Sequence, residues 1–286
     1  IRNHISVISS KKYNPDSCSD VKAFRKQILS FYNQNGRDLP WRKDFDSYRI
    51  FVSEVMLQQT QVERVRSKFI LFVEEIPDFE SLARAGMNTI YPLWQGLGYN
   101  RRALALRNAA LMIVDQHKGI LPDTPEELVR LPGIGPATGA SITAFAYNKP
   151  VVFLETNIRT VLIHHFFPDH DRVHDRDLFK TAEKVLDRRN PRIWYSALMD
   201  YGTVLKKEVG NLSGKSLQFK KQSPFKGSNR QLRGAILKML NETGSVSMDK
   251  LTEKVNRPYG QVIDAVNALV KEAMVREKSG VYSLME

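Results

Sequence analysis

The sequence predicts an all-α protein closed by a small module of three helices and a short β wing, and three observations carry that expectation. From Asp20 to about Gly210, apolar residues recur at three- and four-residue spacing between short polar breaks, as a succession of half-buried helices requires. Period-two alternation, the mark of half-buried strands, is scarce over the same stretch. After a segment rich in Lys, Ser and Gly, three more amphipathic runs lead into two short β-type stretches around Ser279 and Gly280, the order of a winged-helix module.

The helical period is clearest in "DVKAFRKQILSFYNQNG", in "YRIFVSEVMLQQTQVERVRSKFILFVEEI", which reads as one continuous run, in "RRALALRNAALMIVDQHKG" and in "DLFKTAEKVLDRR". The segment "KKEVGNLSGKSLQFKKQSPFKGSNR", residues 206 to 230, lacks that period and reads as a basic linker, with a boundary near residue 228. Beyond it, "RQLRGAILKMLNETG", "SMDKLTEKV" and "PYGQVIDAVNALVKEAM" are the three helices, and "VREKSGVYSLM" is the wing. The third helix of such a module often enters a DNA groove; the alternative is a protein-docking or purely structural domain. The expected organisation is an arm over residues 1–19, a main domain over 20–205, the linker over 206–228 and the module over 229–286. No internal repeat or low-complexity tract interrupts it.

The 286 residues suit one large or two modest domains, and 42% hydrophobic content is enough for a packed core. Lys and Arg number 43 against 31 Asp and Glu, a formal net charge of +12. That excess favours a polyanion as partner, nucleic acid ahead of a membrane surface. The single cysteine, Cys18, excludes an internal disulfide and any cluster held by several thiolates of this chain. No run of about 18 apolar residues spans a bilayer. The start "IRNHISVISSKKYN" lacks the apolar stretch and cleavage site of a signal peptide, so an intracellular protein is expected, in cytoplasm or nucleoid, or in the nucleus of a eukaryote.

In "LPGIGPATGASITAF", residues 131 to 145, the apolar lead-in Leu131 precedes Gly133 and Gly135, which stand between two helical segments. Glycine permits positive φ and close backbone approach, so N–H groups at the start of the second helix can point at a phosphate. The alternative is a pair of glycines that only turns the chain.

Neighbouring motifs extend this stretch. "LPWR" at 39–42, "SEVMLQQTQV" at 53–62, "LWQGLGYNRRALAL" at 93–106, the hairpin itself and "LETNIRTV" at 154–161 resemble, in order and separation, the signatures of the helix-hairpin-helix DNA glycosylases, the superfamily containing endonuclease III and MutY, and are most similar to its MutY branch. The resemblance covers roughly residues 20 to 205. It implies two α-helical subdomains with a DNA-facing cleft between them, into which a mispaired or damaged base is flipped.

The resemblance also implies roles for named residues. Breaking an N-glycosidic bond builds positive charge on the sugar, which a carboxylate stabilises while a second acid protonates the departing purine. The family's catalytic Asp falls at Glu155, a departure that keeps the charge and adds a methylene. Catalysis is sensitive to placement at about the 1 Å level, so the change bears on rate. Glu54 matches the acid that protonates adenine; the alternative is a polar residue on the cleft's rim. Gln59 and Thr60 match positions that probe the gap and the opposite base, or else are surface polar residues of an amphipathic helix. Tyr99 would wedge the duplex beside the flipped nucleotide. Trp41 reads as core, Arg42 as a pocket residue orienting carboxylates or as a structural salt bridge, and Asn157 as support for the carboxylate loop or as a local Asx turn. Lys149 and Lys206 read as phosphate contacts or solvated charges. His164 and His165 face different directions on a helix without an acidic partner at i+4, so no metal site is expected.

Three further departures separate the chain from relatives. Where bifunctional enzymes carry the Schiff-base lysine after the hairpin, Ala137 offers no nucleophile, which implies a water-using, monofunctional enzyme. The four cysteines that hold an iron–sulfur cluster in most relatives are missing after "ALMDYGTVLKK", and Lys206, Lys207, Lys215, Lys220 and Lys221 could supply positive charge there without any cofactor. The β-rich C-terminal domain with which MutY reads 8-oxoguanine is replaced by the winged-helix candidate. The implied function is removal of adenine opposite 8-oxoguanine or guanine by a monomer acting on double-stranded DNA, with no membrane partner. Alternatives are thymine or uracil opposite guanine, or lesion binding without excision.

Overall fold

A computed structural model describes residues 11–218 and 224–286. The chain divides into two compact units, and neither is a continuous stretch: residues 1–50, 123–129 and 135–221 form the first, and residues 51–122, 130–134 and 222–286 the second.

The first unit holds α1 (Cys18–Asn35), a 3-10 turn at Pro40–Arg42, the start of α2 (Ser47–Leu57), α7 (Pro125–Leu128), α8 (Pro136–Tyr147), α9 (Thr156–Phe166), α10 (Asp175–Val185), α11 (Pro191–Val209) and a second 3-10 turn at Leu212–Lys215. Helix α1 begins at the Ser17 cap and turns Phe24, Ile28 and Phe31 inward at helical spacing. These meet Trp194, Ala197, Leu198, Tyr201 and Leu205 of α11 and Ile158, Val161 and Leu162 of α9 in one core. Phe24 stands edge-on to Trp194 at 5.8 Å, and Phe31 to Tyr201 at 5.2 Å, the arrangement that aromatic quadrupoles favour.

The second unit holds the rest of α2, then α3 (Val62–Glu75), α4 (Phe79–Arg84), α5 (Met87–Trp94) and α6 (Arg101–His117). Its core is aromatic too: Phe51 packs on Phe79, and Phe72 on the fully buried Trp94. The C-terminal residues of the unit form α12 (Asn229–Thr243), β1 (Ser245–Ser247), α13 (Met248–Val255), α14 (Tyr259–Lys271), β2 (Val275–Lys278) and β3 (Val281–Leu284). Leu232, Ile236 and Leu240 of α12 and Val262, Val266 and Leu269 of α14 are buried, four or three residues apart as a packed helix face demands. The three strands are antiparallel in the order β1-β3-β2.

The all-α expectation with a C-terminal β wing holds. The wing turns at Ser279 and Gly280, both at positive φ, as a two-residue hairpin of the favoured hand requires. Strand β1 is an addition: its three residues pair with Val281–Ser283, and so short a run gives no periodic signal. The continuous run expected over residues 48–76 is two helices. It breaks at Gln58–Gln61, where Gln59 takes a left-handed φ of +54° that no α-helix contains. No helix among the described residues is long and apolar enough to cross a membrane.

Candidate active site

In the first unit, Glu155 is the N-cap of α9, extended at φ −126° and ψ 178°. The first N–H groups of a helix have no partner inside it, and here Oε1 of Glu155 accepts two of them, from Asn157 at 2.8 Å and Ile158 at 2.9 Å. Ser, Thr, Asp and Asn usually cap helices; the longer Glu does so by folding its side chain back. The second oxygen, Oε2, makes no hydrogen bond among the described residues. Burial pushes the Glu155 carboxyl above its ordinary value, while the two N–H donors, Lys206 and Arg159 pull it down. The helix N-terminus adds a partial positive charge that favours the ionised form.

Neighbours fix this carboxylate. Arg159 pairs with Asp175 at 2.6 Å and donates to the Leu154 carbonyl at 3.1 Å, tying down the residue before the cap. Asn157 keeps its side-chain oxygen buried, without a hydrogen-bond partner among the described residues. Helix α11 passes so close that a Cβ on Gly202 would lie 2.7 Å from the Asn157 carbonyl oxygen and 2.8 Å from its Cβ. Only glycine allows that approach. Sequence reasoning missed Gly202, although a glycine inside the helical pattern of "ALMDYGTVLKK" was the available signal.

Arg42 is bidentate on Asp200, with Nη1 to Oδ2 at 2.9 Å and Nη2 to Oδ1 at 3.0 Å. Arg37 adds its backbone N–H at 2.8 Å and its Nε at 2.7 Å to the same carboxylate. Burial alone would raise the Asp200 pKa, but the two guanidinium groups hold it below the usual carboxylate range. Of the two readings of Arg42, the geometry here is that of the salt bridge. Trp41 beside it is core.

His165 is fully buried and neutral. Its Nδ1 lies 2.9 Å from the Lys11 carbonyl, its Nε2 lies 3.0 Å from the Tyr201 hydroxyl, and burial takes its pKa down to about 4. The carbonyl fixes the proton on Nδ1, so Tyr201 donates to Nε2 and itself accepts from Gln27 at 2.8 Å. Lys149 pairs with Asp123 at 2.6 Å, and Lys206 exerts its charge on Glu155. Lys220 and Lys221 lie outside the described residues. No three His, Cys, Asp or Glu converge on a metal-sized site among the described residues.

In the second unit, one arginine that sequence reasoning missed gathers three of the expected residues. Arg102 of α6 donates through Nη1 to the carbonyls of Val55 and Met56, each at 2.9 Å, and of Gln58. Through Nη2 it reaches the Thr60 hydroxyl at 2.8 Å and the Gly98 carbonyl at 3.0 Å. It thus adds a charged donor to carbonyls at the end of α2, where Val55 otherwise accepts only a 3.4 Å bond from the Gln58 N–H, and ties the Gln58–Thr60 turn to the Leu97–Tyr99 turn. Burial lowers its pKa to about 10, so it stays charged at neutral pH. Gln59 at φ +54° and Tyr99 at φ +48° are both left-handed, an uncommon conformation for side-chain-bearing residues that clusters at functional sites. Gln59 is exposed and Tyr99 half-buried.

Glu54 is half-buried on α2. Gln58, also missed, donates to the Gly133 carbonyl at 3.1 Å. Leu131 is buried, and its carbonyl accepts the Ile134 N–H at 3.2 Å. Gly133 is required twice over: its φ is +78°, and a Cβ would lie 2.7 Å from that of Ala105. Gly135 caps α8 without steric need, since a Cβ there would meet nothing within 4 Å. It is exposed at the tip with Pro136 and Ala137, as is Gly133.

Residues 52–188 match the model of the HhH-GPD superfamily base excision DNA repair proteins. The chain is 33% identical over 184 residues to an adenine DNA glycosylase of Buchnera aphidicola subsp. Baizongia pistaciae, covering 64% of this chain and 52% of that one. It is 30% identical over 234 residues to the adenine DNA glycosylase of Mycolicibacterium smegmatis, covering 76% and 80%. Among solved structures, a thermostable thymine-DNA glycosylase superposes with a TM-score of 0.58 at 25% identity, over 64% of this chain and 86% of that one. The chain thus spans about half the length of the Buchnera relative and most of the mycobacterial one. On the family match and these relatives, the chain belongs to the HhH-GPD superfamily of base excision DNA repair proteins, in its MutY-like branch.

Proposed function

We propose that this chain is a monofunctional DNA glycosylase that flips a mispaired or damaged base out of duplex DNA and hydrolyses its N-glycosidic bond, with adenine opposite 8-oxoguanine or guanine as the favoured target. The observation behind this proposal is Glu155: one carboxylate oxygen is held by two backbone N–H groups, and the other makes no hydrogen bond among the described residues. As the bond breaks, its electron pair leaves with the base, which takes a proton from Glu54. The positive charge left on the sugar faces the Glu155 carboxylate. A water then adds to the sugar carbon and gives its proton to Glu155, leaving an abasic site. Asn157, with a buried oxygen that has no hydrogen-bond partner among the described residues, is suited to hold that water. Gly133 and Gly135 would carry the phosphate backbone, while Gln59, Thr60 and Tyr99 would face the opposite base and the gap. Arg42 would act indirectly, by fixing Asp200 and the turn around Trp41.

Ala137 at the exposed tip of the hairpin carries no nucleophile, which supports hydrolysis without lyase chemistry. The segment after α11 offers no thiolate: Asn211 Oδ1 accepts from the Ser213 N–H at 3.2 Å and from its hydroxyl at 2.7 Å. Such hydroxyl and amide groups do not suit an iron–sulfur cluster, and the reading includes none. In this proposal residues 20–205 are the enzyme, residues 206–228 the linker and residues 229–286 an accessory module, in a monomer working where the cell keeps its DNA. Adenine is favoured because both curated relatives are named for it. Thymine or uracil opposite guanine is the second reading, supported by the likeness to a thymine-DNA glycosylase.

The test is a duplex panel carrying A opposite 8-oxoguanine, A opposite G, T opposite G, U opposite G and hypoxanthine, each incubated with the protein and then treated with alkali. Breaks confined to the A-containing mismatches are expected. Breaks only at T or U opposite G would replace the first reading with the second, and binding without breaks on any duplex would overturn both.

A further inference from the structure

Tyr99 does not owe its position to the main domain alone. Arg102 lies 5.6 Å from its ring, and Arg230, in the first turn of α12, lies 4.8 Å over the ring and donates to the Tyr99 hydroxyl. A tyrosine at φ +48° is in an uncommon conformation for a residue with a side chain, one that persists where the surrounding structure holds it. Arg230 is itself set by the seating of its helix. Glu272, at the end of α14, accepts from Arg233 of α12 at 3.0 Å and also pairs with Arg101, the first residue of α6 and two places beyond Tyr99. The Met285 carbonyl accepts the Asn88 N–H at 3.0 Å, and the Tyr91 hydroxyl donates to the Gly234 carbonyl at 3.4 Å. The module is therefore seated along residues 86–101, the stretch that ends in the tyrosine.

We propose that Arg230 is a positioning residue for Tyr99: the C-terminal module presets the aromatic ring that opens the duplex beside the flipped nucleotide. This rests on the glycosylase reading above. A guanidinium stacked on the ring and bonded to its hydroxyl fixes both the plane and the direction of the side chain, which a lysine ammonium cannot do. Pre-ordering the ring in the free protein removes an ordering cost from the step that unstacks DNA.

The experiment compares the full chain with Arg230→Ala and Arg230→Lys. Hydrogen exchange of residues 96–101 is followed without DNA. Base extrusion is followed by the fluorescence of a 2-aminopurine placed beside the target, and excision in parallel on a matched-length duplex and on the same target in an unpaired bubble. Losing a hydrogen bond to a charged group corresponds to about tenfold. Exchange in the loop and loss of extrusion on the duplex should each change by about that factor in Arg230→Ala, with little rescue in Arg230→Lys and excision from the bubble retained. Unchanged exchange in the loop overturns the positioning role, as does equal slowing on duplex and bubble, or faster extrusion in the variant. If the unaltered protein neither extrudes nor excises on any DNA, the glycosylase reading fails instead, and the exchange result still decides whether Arg230 holds Tyr99.

Discussion

Glu155 accepts the backbone N–H groups of Asn157 and Ile158 through a single oxygen, so one residue is at once a helix cap and a candidate catalyst. The two roles separate on substitution. Glu155→Gln retains an acceptor oxygen for both N–H groups but loses the negative charge. Its thermal midpoint is expected within a few degrees of the parent, roughly the shift that less than 1 kcal/mol makes in a chain this long. Glu155→Asp keeps the charge and shortens the reach; a displacement of about 1 Å costs on the order of 100-fold, which single-turnover rates will read.

The same carboxyl sets the acid side of the pH profile. Its pKa is raised by burial above the ordinary 4.5, and the proposed reaction uses the ionised form. Excision should therefore fall as pH falls through a midpoint above that of an exposed Glu. A midpoint at or below the ordinary value would show that another group limits the rate.

Gly202→Ala tests the packing behind the site. Alanine ordinarily improves a helix by about 1 kcal/mol, but here the new Cβ meets the Asn157 backbone at 2.7 Å, and overpacking of that kind costs about 1–3 kcal/mol. The clash wins because backbone, not a flexible side chain, is struck. Denaturant unfolding should show a net loss of stability, and excision should drop with it as the cap of α9 shifts.

Asp200→Asn leaves Arg37 and Arg42 without their shared charge, and breaking a buried pair in this way costs about 3–5 kcal/mol. Because the folded Asp200 pKa is lowered, its stabilisation is complete above the unfolded value of about 3.9 and is lost as pH falls through the folded one. The parent should lose more stability than Asp200→Asn over that acid range.

His165 acts at higher pH. Its folded pKa of about 4 lies below the unfolded 6.5, so the unfolded chain takes up a proton first as pH falls. Stability is full above about 6.5 and declines toward pH 4, by up to about 3 kcal/mol at 1.36 kcal/mol per unit. His165→Gln, which cannot titrate, should flatten that slope in denaturant midpoints measured between pH 4 and 7.

The helices were legible because their period is local: Phe24, Ile28 and Phe31 read inward from spacing alone. The wing was legible through Ser279-Gly280, whose positive φ values are what such a dipeptide signals. The break at Gln59 was not, because the apolar period runs on through it and the group that stabilises it, Arg102, lies more than 40 residues away. An arginine in an amphipathic helix reads as surface; only the fold shows it collecting the carbonyls of α2. Arg42 and Asp200 are separated by 158 residues, so neither predicts the other from sequence. Glu155 and Asn157 were legible through motif position, and what the fold adds is which oxygen is committed to the helix and which is left over.

The most direct measurement is alkali-dependent strand scission at A opposite 8-oxoguanine, under single turnover, by the parent and by Glu155→Gln at matched DNA occupancy. The parent should show a measurable rate that falls by about 100- to 10,000-fold in Glu155→Gln, the range that a positioned acid–base group contributes, with DNA binding retained. Equal rates for the two proteins, or breaks without alkali at the parent's full rate, would contradict the proposed function.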